Sequence, residues 1–225
     1  MEKTDLTDLF DNLPEQNRLL LAEGAVLLRK FIQQNQAALQ DEALLLNDVN
    51  RIVAQSSLRH MVTPGGFAMS VAMANCGKLG WVTDRKGYRY DTLDPNTGTP
   101  WPAMPASFLA LAAQAALEAG FADFVPDACL INQYKPGARM GLHQDKDERD
   151  FSQPIVSVSL GVPATFLLGG FERADKTVKI QLNHGDVIVW GGASRLRYHG
   201  VLPLKAGHHP AFGPCRINLT FRKAG

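Results

Sequence analysis

PIVSVSLGVPATFLLGG, Pro154 to Gly170, decides how the chain is read. It holds two short runs of β-branched and apolar residues, IVSVSL and ATFLL, and it closes on Gly169-Gly170. Runs of that length and composition, punctuated by Gly and Pro, form strands and turns. Working outward, DACLINQY (Asp127–Tyr134), TVKIQL (Thr177–Leu182), DVIVWGG (Asp186–Gly192) and RINLTFR (Arg216–Arg222) repeat the pattern. Pro136-Gly137 and the stretch Asn183 to Asp186 supply further turns. Upstream the spacing changes. Leu39, Leu45, Leu46, Val49, Ile52 and Val53 recur at helical intervals and predict a helix over 37–53. A second helix is expected from about Ser107 to Ala119, with Pro105 before it, Ser107 as its cap and Gly120 at its C-terminus. Helices followed by many short strands describe an α+β chain. Its two sheets roll into a jelly roll (a double-stranded β-helix), with the N-terminal helices packed on one outer face.

The chain has 225 residues, 45% hydrophobic and 20% charged, with a formal net charge of +1. That is an ordinary soluble composition, with no global charge to draw it to nucleic acid or to a membrane. Any nucleic-acid contact must come from local patches. Cys76, Cys129 and Cys215 are too few and too scattered for a disulfide framework or a CxxC metal site. No apolar run opens the chain or approaches membrane-spanning length, so a cytoplasmic protein with no membrane partner is expected. Residues 1–17 are polar and mixed, and a loosely ordered arm is expected there. Residues 18–225 are expected to form a single domain.

GLHQDKDERD, Gly141 to Asp150, raises the question of chemistry. In an extended segment, His143 and Asp145 at i and i+2 point the same way, roughly 7 Å apart along the chain, which suits two ligands of one ion. Two histidines and one carboxylate that leave open positions are the usual protein site for non-haem Fe(II). Zinc accepts the same residue types. His184, His199, His208 and His209 are the candidates for the third ligand. His184 sits in the tight turn NHGD, where local hydrogen bonds are its ordinary use, and His208 and His209 sit in a Gly/Pro-flanked loop. His199 follows the strand VIVW at the start of a new one, VLPL, and is the choice.

RINLTFR places Arg216, Asn218, Thr220 and Arg222 on one face and Ile217, Leu219 and Phe221 on the other. An edge strand with its polar face in water would show the same alternation, but it would ordinarily carry Lys or Glu. Two guanidiniums on one face can clamp a dicarboxylate through paired hydrogen bonds. The small dicarboxylate that iron oxygenases consume is 2-oxoglutarate. In LGWVTDRKGYRY, Trp81, Tyr88 and Tyr90 alternate with Arg85, Lys86 and Arg89, and Asp84 to Gly87 suits a hairpin turn. Aromatics interleaved with cations make a stacking and phosphate surface for a flipped or single-stranded base. A hairpin whose aromatics merely cover the core would read the same way.

Taken together, HxD (His143, Asp145), the distal His199 and RxNxTxR (Arg216 to Arg222) resemble the AlkB family of iron- and 2-oxoglutarate-dependent nucleic-acid demethylases. The likeness runs through MVTPGGFAMSVAMANCG, LGW, WPAMP, PDACLINQY, LHQDKDE, PIVSVSLG, HGDVIVWGG and LKAG, nearly the whole chain from Leu58 onward. It implies that His143, Asp145 and His199 hold Fe(II). It also implies that Asn132 and Tyr134 bind 2-oxoglutarate beside Arg216, Asn218 and Arg222, with O2 as the second cosubstrate. The implied reaction releases succinate and CO2 while it hydroxylates an N-methyl group on a base of the 1-methyladenine or 3-methylcytosine type. The hemiaminal then gives formaldehyde and the repaired base. Similarity sets Trp81 and Tyr88 against that base, with Tyr90 in the same hairpin, Asp147 at its cationic edge and Arg173 bordering the pocket. The implied partner is alkylated DNA, single-stranded or with a flipped base, or RNA. The hairpin belongs to a nucleotide-recognition lid over about 58–92, and a monomer is expected. Gln133, Met140 and the FERADKTVK loop are individual to this chain. Two rival readings remain: a 2-oxoglutarate-dependent hydroxylase of a protein or small molecule, and a cupin-like metal-binding protein without oxygenase activity.

Overall fold

Period-two alternation builds the molecule in layers. The computed structural model describes residues 17–35 and 42–225. The expected arm over 1–17 therefore lies, apart from Asn17, outside the described residues, as does 37–41 of the first expected helix. In chain order the elements begin with β1 (Arg18–Ala22), β2 (Ala25–Leu28), the short helix α1 (Phe31–Gln34) and α2 (Glu42–Gln55). Then come β3 (Arg59–Val62), β4 (Ala68–Gly77), the hairpin β5 (Gly80–Asp84) and β6 (Gly87–Asp91), and helix α3 (Ala106–Ala119). The strands β7 (Ala128–Tyr134), β8 (Met140–His143), β9 (Ile155–Gly161), β10 (Ala164–Leu168) and β11 (Val178–Leu182) follow. β12 (Val187–Trp190), β13 (His199–Val201) and β14 (Arg216–Arg222) complete them.

Eight strands form one sheet in the order β1-β2-β12-β9-β14-β7-β4-β3, and four form a second in the order β11-β10-β13-β8. The two sheets face each other as a jelly roll. On β14, Ile217, Leu219 and Phe221 face α2 and α3 on the outer side of the large sheet, beside Val156, Val158, Cys129 and Ile131 of the neighbouring strands. Phe221 meets Phe108 of α3 edge to face, with centroids 5.7 Å apart at 89°. The opposite face of the large sheet sends Ile155, Ile188, Trp190 and Tyr134 toward Phe166, Leu168, Ile180 and Val201 of the small sheet. The polar residues of β14 lie on that inner face. Because β14 sits between β9 and β7, it is a central strand buried on both faces, and the edge-strand alternative is excluded.

The structure departs from the sequence expectations in three places. β1 to β4 precede α3 and extend the large sheet, whereas the sequence reading placed strands only after Gly120, apart from the hairpin around Asp84 to Gly87. The described part of the first long helix runs two residues beyond Val53, to Gln55. Ser107 does not cap α3. Pro105 occupies the cap position, without a side-chain bond, and the Ser107 hydroxyl instead donates to Asp48 of α2 and ties the two helices together. Gly120 does take the left-handed conformation, with φ of 100°, and the Gly120 and Phe121 N–H groups close the helix on Leu117 and Ala116.

Candidate active site

The register of the small sheet brings the site together. His199 is the direct cross-strand partner of His143, so residues 56 apart in sequence lie side by side, with ring centroids 4.4 Å apart. β8 ends at His143, and Asp145 follows just beyond it with its carboxylate turned back toward both rings. His143 Nε2 lies 3.6 Å from Asp145 Oδ1, and His199 Nε2 lies 3.7 Å from Oδ2. His143 Nδ1 is 2.8 Å from the Gly141 carbonyl, and His199 Nδ1 is 3.1 Å from the Arg197 carbonyl. A carbonyl only accepts, so each Nδ1 carries the proton and each Nε2 presents its lone pair to the centre.

Burial, helped by the neighbouring His143, pushes the His199 pKa down to about 4, so its ring is neutral at physiological pH. Burial alone would raise the Asp145 carboxyl, but the Arg222 guanidinium and the two neighbouring imidazoles together hold the group well below the usual carboxylate range. Two imidazole lone pairs and a carboxylate therefore converge within 4.8 Å of one another. Acceptors crowded in this way repel one another until a cation joins them, and the donor set of two nitrogens and one oxygen fits Fe(II).

Beside this triad lies a cavity of about 550 Å³ between the sheets. Its floor is the polar face of β14 together with Asn132 and Tyr134 of β7. Arg216 is 1% exposed and has no carboxylate partner among the described residues. Its Nη2 donates to Ser159 Oγ (2.9 Å), its guanidinium lies over the Tyr134 ring (4.9 Å), and Nε and Nη1 have no hydrogen-bond partner among the described residues. Asn132 Oδ1 is likewise buried and unpaired. A buried cation without a counter-ion is costly, so the unspent Nε and Nη1 donors of Arg216 mark an anion site. The fit to a carboxylate of 2-oxoglutarate is direct. Burial also raises the Tyr134 pKa, so its phenol keeps the proton and remains a donor.

Arg222 differs from its sequence expectation. It does not stand free beside Arg216 as half of a clamp. Its Nε and Nη2 donate to Asp145 Oδ2 (3.0 and 2.6 Å), and Nε lies 3.2 Å from Glu148 Oε1. Its Nη1 has no partner among the described residues. Asn218 lines the cavity, but its amide is engaged with Ser157 Oγ (2.8 Å) and the Val158 carbonyl (2.9 Å).

The hairpin closes the mouth. Trp81 and Tyr88 stack at 5.7 Å and 19°, and both line the cavity, as do Asp147 and Arg173. Trp81 Nε1 donates to Asp147 Oδ2 (2.8 Å), and Arg173 donates to the Leu142 carbonyl (2.6 Å). Tyr90 does not line the cavity: its hydroxyl donates to Glu148 Oε1 at 2.8 Å. Arg89, read as part of a cationic surface, is paired with Asp84 (3.0 Å) and Asp91 (3.4 Å). His184 lies away from the triad and accepts the Gly161 N–H at 3.0 Å.

Sequence reasoning missed Asn75, whose fully buried amide exchanges two 3.0 Å hydrogen bonds with the Trp81 backbone and fixes the stacking residue. Asn is depleted in strands, so its place inside an otherwise apolar stretch was the available signal. Glu148 and Arg195, buried at 6% and 3% exposure, were also missed.

A sheet-bound His/Asp/His cluster beside an unpaired buried arginine defines an iron(II)- and 2-oxoglutarate-dependent oxygenase. The 2OG-Fe(II) oxygenase superfamily profile matches residues 24–222. The chain is 57% identical to the alpha-ketoglutarate-dependent dioxygenase AlkB of Escherichia coli K12, over 98% of this chain and 99% of that protein. It is 46% identical to an AlkB homologue of Caulobacter vibrioides over 76% of each chain. The solved structure of OsALKBH1 superposes with a TM-score of 0.75 at 30% identity, covering 92% of this chain and 99% of that one. The protein belongs to the AlkB family of these dioxygenases.

Proposed function

We propose that the enzyme oxidatively demethylates N-alkylated bases of the 1-methyladenine and 3-methylcytosine type in DNA or RNA, a direct reversal of alkylation damage. The observation that carries this reading is the Trp81–Tyr88 stack set across the mouth of the cavity that holds the triad and Arg216. Relatives add weight: ALKBH1 of Homo sapiens is named a nucleic acid dioxygenase and ALKBH1C of Arabidopsis thaliana a DNA N(6)-methyladenine demethylase.

His143, Asp145 and His199 would hold the iron. Arg216, Asn132 and Tyr134 would hold 2-oxoglutarate, with Asn218 and the free Nη1 of Arg222 bordering it. Iron, when bound, supplies the redox chemistry that couples decarboxylation of 2-oxoglutarate to oxygen insertion into a C–H bond. The protein's residues do the rest. Trp81 and Tyr88 stack on the extracted base, and the positive charge of a methylated adenine or cytosine strengthens that stack. Asp147, already the acceptor for Trp81, offers a carboxylate to the cationic edge. Arg173 at the rim faces the phosphate side. Met69, Met73, Met140 and Leu130 line the apolar parts of the cavity and keep water from the reacting methyl. The hydroxylated methyl then leaves as formaldehyde.

A single dioxygenase domain over 18–225, a recognition lid over about 58–92, a monomeric state and a cytoplasmic location complete the proposal. No helix among the described residues is long and apolar enough to cross a membrane. The deciding experiment incubates iron-loaded protein with 2-oxoglutarate and methylated single-stranded oligonucleotides, following succinate and oligonucleotide mass. Matched loss of methyl groups and gain of succinate is expected. Succinate formation stimulated by a protein or small molecule, with oligonucleotide mass unchanged, would overturn the substrate assignment.

A further inference from the structure

The segment Asp145 to Glu148 is held at three points by three different parts of the site. Asp145 Oδ2 takes both hydrogen bonds from Arg222. Asp147 accepts from Trp81 on β5, and Glu148 accepts from Tyr90 on β6. Glu148 sits between two arginines: Oε1 lies 3.2 Å from Arg222 Nε, and Oε2 accepts from Arg195 Nη2 at 3.0 Å. Arg195 returns to the same segment, donating from Nη1 to the Asp145 carbonyl at 2.7 Å. Two carboxylates and two guanidiniums thus balance in charge. All four are at most 9% exposed. At that burial each hydrogen bond is stronger than in water and each loss is costly.

We infer that Tyr90 and Glu148 are positioning residues. The chain Tyr90–Glu148–Arg222–Asp145 fixes the metal-facing carboxylate and ties its aim to the recognition hairpin. Tyr90 needs no contact with base, iron or 2-oxoglutarate to do this. Its hydroxyl fixes Glu148, Glu148 fixes the Arg222 fork, and the fork decides which Asp145 oxygen remains for the triad centre. A base that settles the hairpin thereby settles the carboxylate, and a hairpin out of place loosens it. The coupling to nucleic acid rests on the function proposed above; the aim of Asp145 does not.

The test uses Tyr90→Phe, which removes one oxygen and keeps the ring, and Glu148→Gln, which breaks the chain one link nearer the metal. Mn(II) affinity is measured by calorimetry without nucleic acid. Outer-shell partners of metal ligands are worth about 10–100-fold in affinity, so Glu148→Gln is expected to weaken Mn(II) binding by about tenfold and Tyr90→Phe by less. Combining them should be no worse than Glu148→Gln alone, because both cut one chain. With iron and methylated oligonucleotide, Tyr90→Phe is expected to raise the succinate formed per base repaired, since a loosely aimed site consumes 2-oxoglutarate without transferring oxygen. Unchanged Mn(II) affinity in both variants overturns the inference. So does a fall in melting temperature that accounts for every loss in parallel, which would make Tyr90 a packing residue only. Failure of the wild type on methylated oligonucleotides, with Mn(II) affinity still following Tyr90 and Glu148, would overturn the substrate reading and leave the positioning roles standing.

Discussion

Strand β14 and the hairpin β5–β6 both alternate arginine with bulky apolar side chains, and they use the alternation in opposite senses. On β14 the arginines point into the molecule, Arg216 and Arg222 at 1% and 6% exposure, while the apolar face packs under α3. On the hairpin the aromatics Trp81 and Tyr88 face the cavity, and Arg89 lies on the other side, neutralised by Asp84 and Asp91. The difference comes from strand position. β14 has neighbours on both edges and layers on both faces, so any polar group it turns inward must be matched by a ligand or a partner. The hairpin pairs only with itself, so its cations can remain at the surface.

Four substitutions test that contrast. Phe221→Ala should have the largest effect on stability, about 3–5 kcal/mol in urea unfolding, because it empties a fully buried site against Phe108. A smaller loss would mean that α3 does not depend on the apolar face of β14. Next, Arg216→Lys keeps the charge but removes the planar fork. Charged hydrogen bonds of this kind are worth about 1.5–3 kcal/mol, so 2-oxoglutarate affinity, read calorimetrically with Mn(II), should drop roughly tenfold or more. No change would mean that the unpaired Nε and Nη1 face nothing. Trp81→Ala should weaken binding of methylated oligonucleotide by about 1–3 kcal/mol, the usual size of one base–aromatic stack. The melting temperature should hold, whereas a large drop would reassign Trp81 to the core. Arg89→Ala should change least. An exposed pair of this kind contributes little, so oligonucleotide affinity should stay near wild type; a clear loss would return Arg89 to the phosphate-binding surface from which its acidic neighbours exclude it.

Much of this was legible in the sequence because it depends on local periodicity. Alternation along RINLTFR separated the two faces of β14 correctly, and His143, Asp145 and His199 were singled out by residue type and spacing. What could not be read depends on partners far along the chain. Nothing in RINLTFR says that Arg222 is committed to Asp145, 77 residues earlier, or that Arg216 is not committed. Tyr90 looked like a third stacking ring because its spacing matches that of Tyr88; only the position of Glu148 takes it out of the cavity. β4 was missed because AMSVAMANCG holds a single β-branched residue, Val71, and no aromatic, too little to mark a strand. It is a strand because β7 and β3 pair with it on either side. Ser107 failed as a cap because the helix already starts at Ala106, which puts Ser107 inside the first turn, where its hydroxyl donates to the buried Asp48 carboxylate.

The pairing of His143 with His199 has a consequence for folding quality. Side chains alternate across a strand, so a slip of one residue between β8 and β13 would turn one imidazole away from the other. The approach of these strands is itself closely set: a Cβ on Gly200 would come within 2.8 Å of the Met140 carbonyl. With the iron held by His143, Asp145 and His199 as proposed, chains that fold with this pairing shifted would offer the ion one imidazole fewer, and the fraction of a preparation that takes up metal would report how much of it has the correct strand alignment.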